Sequence, residues 1–241
     1  MSVGPGRTAG MRALVPRIAL LAASLLVIPV RAETTTRQVQ GFTKLDLKVP
    51  VNVTIRPGKA FSLVMDLHDS SMASKISTEV QGDTLVISSN ERSLRFHGKN
   101  TATLTMPDLQ GVSISGSGDV DVAGFDQGGS LSLAISGSGD ITYNGKTSAV
   151  AVVIEGSGNV KLVGSTATLS VTIEGSGDLR AADFTAKNAS VAVDGSGDAD
   201  LRVSGGAVQF AVNGSGDIRW SGDASVVSAV THGSGSIQKK H

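Results

Sequence analysis

Between Val150 and Gly177 the chain reads VAVVIEGSGNVKLVGSTATLSVTIEGSG, and this stretch decides the fold. The tripeptide Gly-Ser-Gly closes each half, and apolar residues alternate before it: Val150, Val152 and Ile154, then Leu169, Val171 and Ile173. Period-two alternation of β-branched residues is a strand signal rather than a helical one. After Gly158 the alternation resumes at Val160 and Leu162. Each unit therefore reads as two short strands joined at a glycine corner.

The same corner recurs on both sides. Its glycine pairs are Gly116 and Gly118, Gly137 and Gly139, Gly156 and Gly158, Gly175 and Gly177, Gly195 and Gly197, Gly214 and Gly216, and Gly233 and Gly235. The spacing is close to 19 residues throughout, the signature of a solenoid. Identical corners stack only if one repeat makes one coil. The expected fold is thus all-β: a right-handed parallel β-helix with about 19-residue coils, like residues forming ladders about 4.8 Å apart. Counting from Ile154, the residues Gly156, Gly158 and Val160 share one phase. If that phase points inward, both glycines face a narrow bend that leaves no room for a side chain. Gly124, Gly145, Gly164 and Gly222 fall on the same phase before a second corner. The two longer repeats should carry their extra residues at that second corner, around Phe125–Gly129 and Phe184–Asn188.

Three segments organise the chain. Residues 1–32 read as a signal peptide. Arg7, Arg12 and Arg17 precede an apolar run from Ile18 to Ile28, and Val30-Arg31-Ala32 places small residues at the cleavage positions. The run is too short to span a bilayer comfortably, so no integral span is expected after cleavage. Residues 33–110 read as β-rich N-terminal capping coils, with strands at Phe42–Val49, Val51–Ile55, Phe61–Leu67, Leu85–Ser88 and Ala102–Met106 and a helical turn within Ser70–Ser77. Residues 111–241 are the repeat β-helix. At its far end Lys239, Lys240 and His241 put charge on the open edge, which discourages end-to-end stacking.

Composition excludes several function classes. There is no Cys, so no disulfide scaffold, thiolate zinc site, iron–sulfur cluster or cysteine nucleophile is available. The whole chain has 21 basic and 21 acidic groups. Residues 1–32 hold four of the Arg and no acid, so the remainder has 17 basic against 21 acidic groups. A mildly acidic chain is a poor nucleic-acid binder. The four His (His68, His97, His232 and His241) are scattered.

The repeated Gly-Ser-Gly corners from Gly116 to Gly235, together with Phe42-Thr-Lys-Leu-Asp-Leu, Val53-Thr-Ile and Gly82-Asp-Thr-Leu-Val-Ile, make the chain resemble the head GIN domain family. That family comprises bacterial autotransporter-type adhesins with a pectin-lyase-like β-helix. The resemblance covers residues 37–241 and implies a secreted or envelope protein with no catalytic residues. No membrane barrel follows the repeats in this sequence, so periplasm, cell surface and secretion all remain open.

Two surface features are candidate sites. Asp119, Asp140, Asn159, Asp178, Asp198 and Asp217 form one column after the glycines. Stacked carboxylates about 5 Å apart repel by about 0.8 kcal/mol in water. A calcium ladder on Asp140, Asp178, Asp198 and Asp217 would relieve this, as would hydrogen bonds from turn amides, the favoured alternative. Lys161, Arg180 and Arg219 lie on the following strand. The second feature is a candidate interface of small, largely apolar outward residues, Ala134, Val153, Thr172, Ala192, Ala211 and Val230. It forms a stripe of roughly 24 Å, flanked by Ser132, Ala151, Ser170, Ser190, Gln209 and Ser228. Contiguous surface of this kind marks contact sites. Tyr143 and Trp220 are on the inward phase and read as core.

The expected function is an exported, non-enzymatic adhesin-like or structural binding module of the bacterial envelope, without cofactor. Its partner would be a protein or glycan, or a second copy through the flat face. The alternatives are a carbohydrate-active enzyme of the pectin-lyase-like kind and a calcium-dependent structural rod. The enzyme would need a cleft, and coils of 19 to 21 residues leave no long loops to build one.

Overall fold

The computed structural model describes residues 1, 2, 4, 33–91, 97–126 and 128–240. Residues 5–32, most of the segment expected to be a signal peptide, and the terminal His241 lie outside the described residues. The described chain is a parallel β-solenoid of about seven turns.

In chain order the strands are β1 (Glu33–Arg37), β2 (Lys44–Leu47), β3 (Asn52–Pro57), β4 (Ser62–Leu67), β5 (Ile76–Gln81), β6 (Thr84–Ser89), β7 (Thr101–Met106), β8 (Gly111–Ile114) and β9 (Val120–Phe125). The repeats continue with β10 (Ser130–Ile135), β11 (Ile141–Gly156), β12 (Val160–Gly175), β13 (Leu179–Gly195), β14 (Ala199–Val203), β15 (Ala207–Gly214), β16 (Asp217–Ser221), β17 (Ser225–Gly233) and β18 (Ser236–Lys239). A 3-10 turn, Ser70–Met72, lies between β4 and β5.

One coil is 19 residues. Along β11 and β12 each residue pairs with the one 19 positions later, from Ile141↔Val160 through Gly156↔Gly175. Two faces result. One holds β8, β10, the second halves of β11, β12 and β13, then β15 and β17. The other holds β9, the first halves of β11, β12 and β13, then β14, β16 and β18. Inward positions stack as buried columns such as Leu133, Val152, Val171, Val191 and Phe210. The expected core aromatics are inside: Tyr143 meets Phe184 edge-on at 6.4 Å between centroids, and Phe210 meets Trp220 at 5.8 Å.

The N-terminal segment is woven in rather than simply stacked. β2 pairs with both β6 and β8, and β3 with both β7 and β9, all parallel. The first coil therefore sits between the second and third, so the chain steps outward and then returns. β4 runs antiparallel to β7, β1 antiparallel to β4, and β5 antiparallel to β6. β1 and β5 carry too little apolar alternation to stand out in the sequence, being ETTTR and ISTEVQ. The Arg37 guanidinium donates to the Ala73 carbonyl, tying β1 to the turn whose Met72 is buried.

Two sequence expectations about the second corner need correction. The extra residue of the Gly175–Gly195 coil lies between Arg180 and Phe184, before the expected Phe184–Asn188, because Phe184 pairs with Gly164. Its ring is fully buried, and packing it inward pushes the surplus residue ahead of it. In the earlier long coil the register slips at Gly124, so Phe125 rather than Gly124 lies opposite Gly145. Gly124 is thus an exposed bulge residue with φ +88°, not an inward one.

Candidate functional site

Gly118, Gly139, Gly158, Gly177, Gly197 and Gly216 are buried, Gly116, Gly137, Gly156, Gly175, Gly195, Gly214 and Gly235 are half-buried, and Gly233, on the last coil, is exposed. Their neighbours explain the residue type. A Cβ on Gly177 would lie 2.1 Å from the Gly158 carbonyl oxygen and 2.8 Å from Ile154 Cγ2. A Cβ on Gly175 would lie 2.5 Å from the Gly156 oxygen, and its φ is +137°. The obstacle is largely the backbone of the preceding coil. That carbonyl is drawn close because it accepts two amides at once: Gly156 O receives Ser176 N at 2.9 Å and Gly177 N at 3.1 Å. The pattern repeats at Gly175 O and Gly195 O.

Directly after the corner the carboxylates form a hydrogen-bonded ladder. Asp140 Oδ1 accepts the amide of Asn159 at 2.8 Å. Asn159 Oδ1 accepts Asp178 N at 3.2 Å, and Asp178 Oδ1 accepts Asp198 N at 3.1 Å. Asp198 Oδ1 accepts Asp217 N at 2.9 Å, and Asp217 Oδ1 accepts both Ser236 N at 2.9 Å and Ser236 Oγ at 2.8 Å. One oxygen of every rung is thus committed to the next coil. Arg219 straddles the other oxygens of Asp198 and Asp217 at 2.9 and 2.6 Å, and Arg180 approaches Asp178 at 3.5 Å. The Ser236 hydroxyl and amide, with Arg219, hold the Asp217 carboxyl below its ordinary range. Among the described residues, no three His, Asp or Glu converge as ligands for a cation.

Asn52 extends the ladder one coil further, and sequence reasoning missed it. Its Oδ1 accepts Asp119 N at 3.2 Å and its Nδ2 donates to Asp119 Oδ2 at 3.3 Å. Asn52 follows Pro50-Val51, not a Gly-Ser-Gly corner, so the only available signal was that Asn159 already fills the same place among the repeats.

The flat stripe is in register as expected. Ala134, Val153, Thr172, Ala192, Ala211 and Val230 are consecutive partners across β10, β11, β12, β13, β15 and β17. The first three are half-buried and the last three exposed. The flanking column from Ser132 to Ser228 is also continuous and exposed. Toward the cap the stripe meets Ser113, then Asp46, which pairs with Lys48 at 3.2 Å.

A depression of about 390 Å³ beside the ladder is lined by Asn52, Lys99, Asp119, Asp121 and Asp140. A pocket of about 310 Å³ at the second corner contains one carboxylate, Asp108, to which Gln110 donates at 3.1 Å. The Tyr143 hydroxyl there donates to the Phe125 carbonyl at 3.2 Å. Burial, reinforced by the Asp126 charge, pushes its pKa up to about 12. The Tyr143 hydroxyl is therefore not poised to exchange protons near neutral pH. Of the histidines, His68 and His232 lie in separate parts of the rod, on the cap and on β17.

The coil and the cap together have counterparts among known proteins. Residues 41–224 match the family described as "putative auto-transporter adhesin, head GIN domain". The chain belongs to the head GIN domain family. Several solved structures share its fold. A putative adhesin from Bacteroides fragilis NCTC 9343 is 24% identical, covers 87% of this chain and 97% of its own, and superposes with a TM-score of 0.79. A putative adhesin from Parabacteroides merdae ATCC 43184 is 17% identical over 88% and 97%, with a TM-score of 0.68. A putative lipid binding protein from Parabacteroides distasonis ATCC 8503 is 20% identical over 87% and 97%, with a TM-score of 0.65. No curated protein matches the chain. Head GIN membership accounts for the corners and the cap together, since the matched span includes both.

Proposed function

We propose that this head GIN protein is an exported, non-enzymatic binding module of the bacterial envelope that engages a protein or glycan partner through its flat face. The observation that carries this reading is the stripe from Ala134 to Val230, six in-register rungs without a charged side chain. Small residues permit close approach over a plane, and the adjacent serines offer hydroxyls to a polar partner. Family membership supports an adhesin role. In the second-corner pocket the Tyr143 hydroxyl is raised to about 12 and the Asp108 carboxylate is held by Gln110, an arrangement that supports binding over catalysis there. Export rests on the Arg-flanked apolar leader, leaving periplasm, cell surface and secretion as destinations.

The binding claim is tested by probing immobilised glycans and intact envelopes with the protein and its Thr172→Lys/Ala192→Lys variant. Binding by the parent and its loss in the variant, with unfolding temperature unchanged, is the expected result. Equal binding by both moves the site off this face. Fusing residues 1–40 to a reporter active only outside the cytoplasm tests export independently, and an inactive fusion removes that part.

A further inference from the structure

The carboxylate ladder is served differently along its length. In the later coils a long cation stands two residues beyond the ladder position: Lys161 after Asn159, Arg180 after Asp178 and Arg219 after Asp217. Arg219 also reaches Asp198, whose own coil carries Asp200 at that place. Nearer the cap the same column reads Thr54, Asp121 and Thr142, consecutive partners on β3, β9 and β11. Arg56 answers Asp121 at 2.6 Å. Asp119 and Asp140 make no ion pair among the described residues; each accepts the next amide of the ladder, Asp140 N at 3.1 Å and Asn159 N at 2.8 Å.

Short side chains in place of long ones leave the depression of about 390 Å³ beside the ladder, over the buried Val53 and Val120 and next to Lys99 and Thr101. Its polar groups are of both kinds. Asp140 commits Oδ1 to Asn159 and Asp121 commits Oδ1 to Arg56, while the second oxygen of each accepts nothing from the described residues. The Lys99 ammonium and the hydroxyls of Thr54, Thr101 and Thr142 likewise have no partner among the described residues. This mixture selects a class of ligand. An anion would meet three carboxylates, and a bare cation would answer those but oppose Lys99. An apolar group would strip water from the carboxylates without replacing its hydrogen bonds. A neutral polyol brings donors and acceptors together.

We propose that this depression is a glycan subsite that takes one uncharged pyranose ring. Adjacent sugar hydroxyls donate to the Asp121 and Asp140 carboxylates, in charge-assisted bonds roughly twice as strong as neutral ones, and a sugar oxygen accepts from Lys99. The threonine hydroxyls, able both to donate and to accept, meet the remaining ring positions. The volume stands at the low end of small-molecule sites, which suits one ring rather than a run of several. Asn52, Asp119 and Asp140 are exposed, so the bound ring can belong to a longer chain. The site lies on the face opposite the stripe from Ala134 to Val230 and stands or falls apart from the flat-face reading.

The test is saturation-transfer NMR on the protein obtained by expressing the full chain, with the methyl glycosides of glucose, galactose, mannose and N-acetylglucosamine as neutral probes and that of galacturonic acid as the charged one. At least one neutral glycoside should bind, and the galacturonide should bind more weakly, since its carboxylate would face the aspartates. Asp140→Asn keeps an oxygen for the Asn159 amide but turns the other acceptor into a donor, and should weaken binding on the order of tenfold. Thr142→Val removes a hydroxyl at nearly constant shape and should weaken it severalfold, which covers the case in which the aspartate change disturbs the ladder. Thr172→Lys/Ala192→Lys, on the opposite face, should leave the affinity unchanged. Silence from all four neutral glycosides overturns the proposal. So does binding that both Asp140→Asn and Thr142→Val leave untouched, or a galacturonide that binds more tightly than any neutral probe.

Discussion

The two corners of each coil obey different rules. At the Gly-Ser-Gly corner the register never slips: Gly156, Gly175, Gly195, Gly214 and Gly233 are successive partners. At the opposite corner it slips repeatedly, at Gly124, between Arg180 and Phe184, and between Val203 and Val208. The chemistry differs accordingly. The first corner repeats one device, a carbonyl accepting two amides followed by an Asx side chain accepting a third. The second uses a different residue each time: Asp126 accepts Lys146 N, Asn188 accepts Ala207 N, and Asp223 accepts Gly205 N. A ladder requires equal spacing in every rung, whereas an isolated side-chain contact does not. Insertions are therefore tolerated only where the ladder is absent.

The largest expected effect comes from disrupting the rigid corner. Gly177→Val would drive a side chain onto the Gly158 carbonyl, 2.1 Å from the Cβ site, and should cost about 3 kcal/mol or more. Denaturant titration measures it. An unchanged midpoint would mean that the coils are not this closely stacked.

Next in size is the ladder. Asp178→Ala leaves the Asp198 amide without its partner and should cost about 1 kcal/mol. Asp178→Asn should be close to neutral, because Asn159 does the same work one rung earlier. If the two substitutions cost the same, charge rather than amide capture matters in the column. Saturating calcium should leave the unfolding temperature of the parent and of Asp178→Asn alike. A calcium-dependent rise in the parent alone would make the column a cation site.

A smaller effect follows from pH. The Asp217 carboxyl titrates below its ordinary value because Ser236 and Arg219 favour its charged form. A lowered folded pKa contributes stability that is complete above the unfolded value near 3.9 and is lost as pH falls through the folded value. Ser236→Ala should therefore be less stable than the parent at neutral pH, and the gap should narrow in acid. A gap that persists unchanged at the lowest pH assigns the Ser236 hydroxyl a role independent of Asp217 ionisation.

The smallest effect should come from the permissive corner. One Gly inserted between Gly205 and Gly206 lengthens an exposed turn where Gly205 has no heavy atom near its Cβ site. It should cost no more than about 0.5 kcal/mol. The same insertion after Ser176 should be far more damaging. If both insertions cost the same, the contrast between the corners fails.

Much of the repeat region was legible because its signals are local. Alternation from Leu131 to Ile135 and from Val150 to Ile154 fixed which side chains face inward. The corner spacing alone aligned the stripe from Ala134 to Val230 and the carboxylates from Asp119 to Asp217. The misplacement of the bulge at Phe184 shows the limit. Spacing reveals that a residue is surplus, but which residue leaves the ladder depends on the side chain that must be buried. Phe184 takes the inward place against Tyr143, and Ala182 and Asp183 stay exposed.

The sequence by itself determined the coil length, the two strands per coil, the glycine corner and the columns, because each follows from periodicity along the chain. Only the tertiary structure decided that the first coil lies between the second and third, that Asn52 continues the carboxylate ladder, and that Lys239 lies over Trp220 while Lys240 reaches back to Asp200. Those outcomes turn on which edges meet across dozens of residues, and strand pairing at that distance is settled by competition among edges that no local pattern encodes.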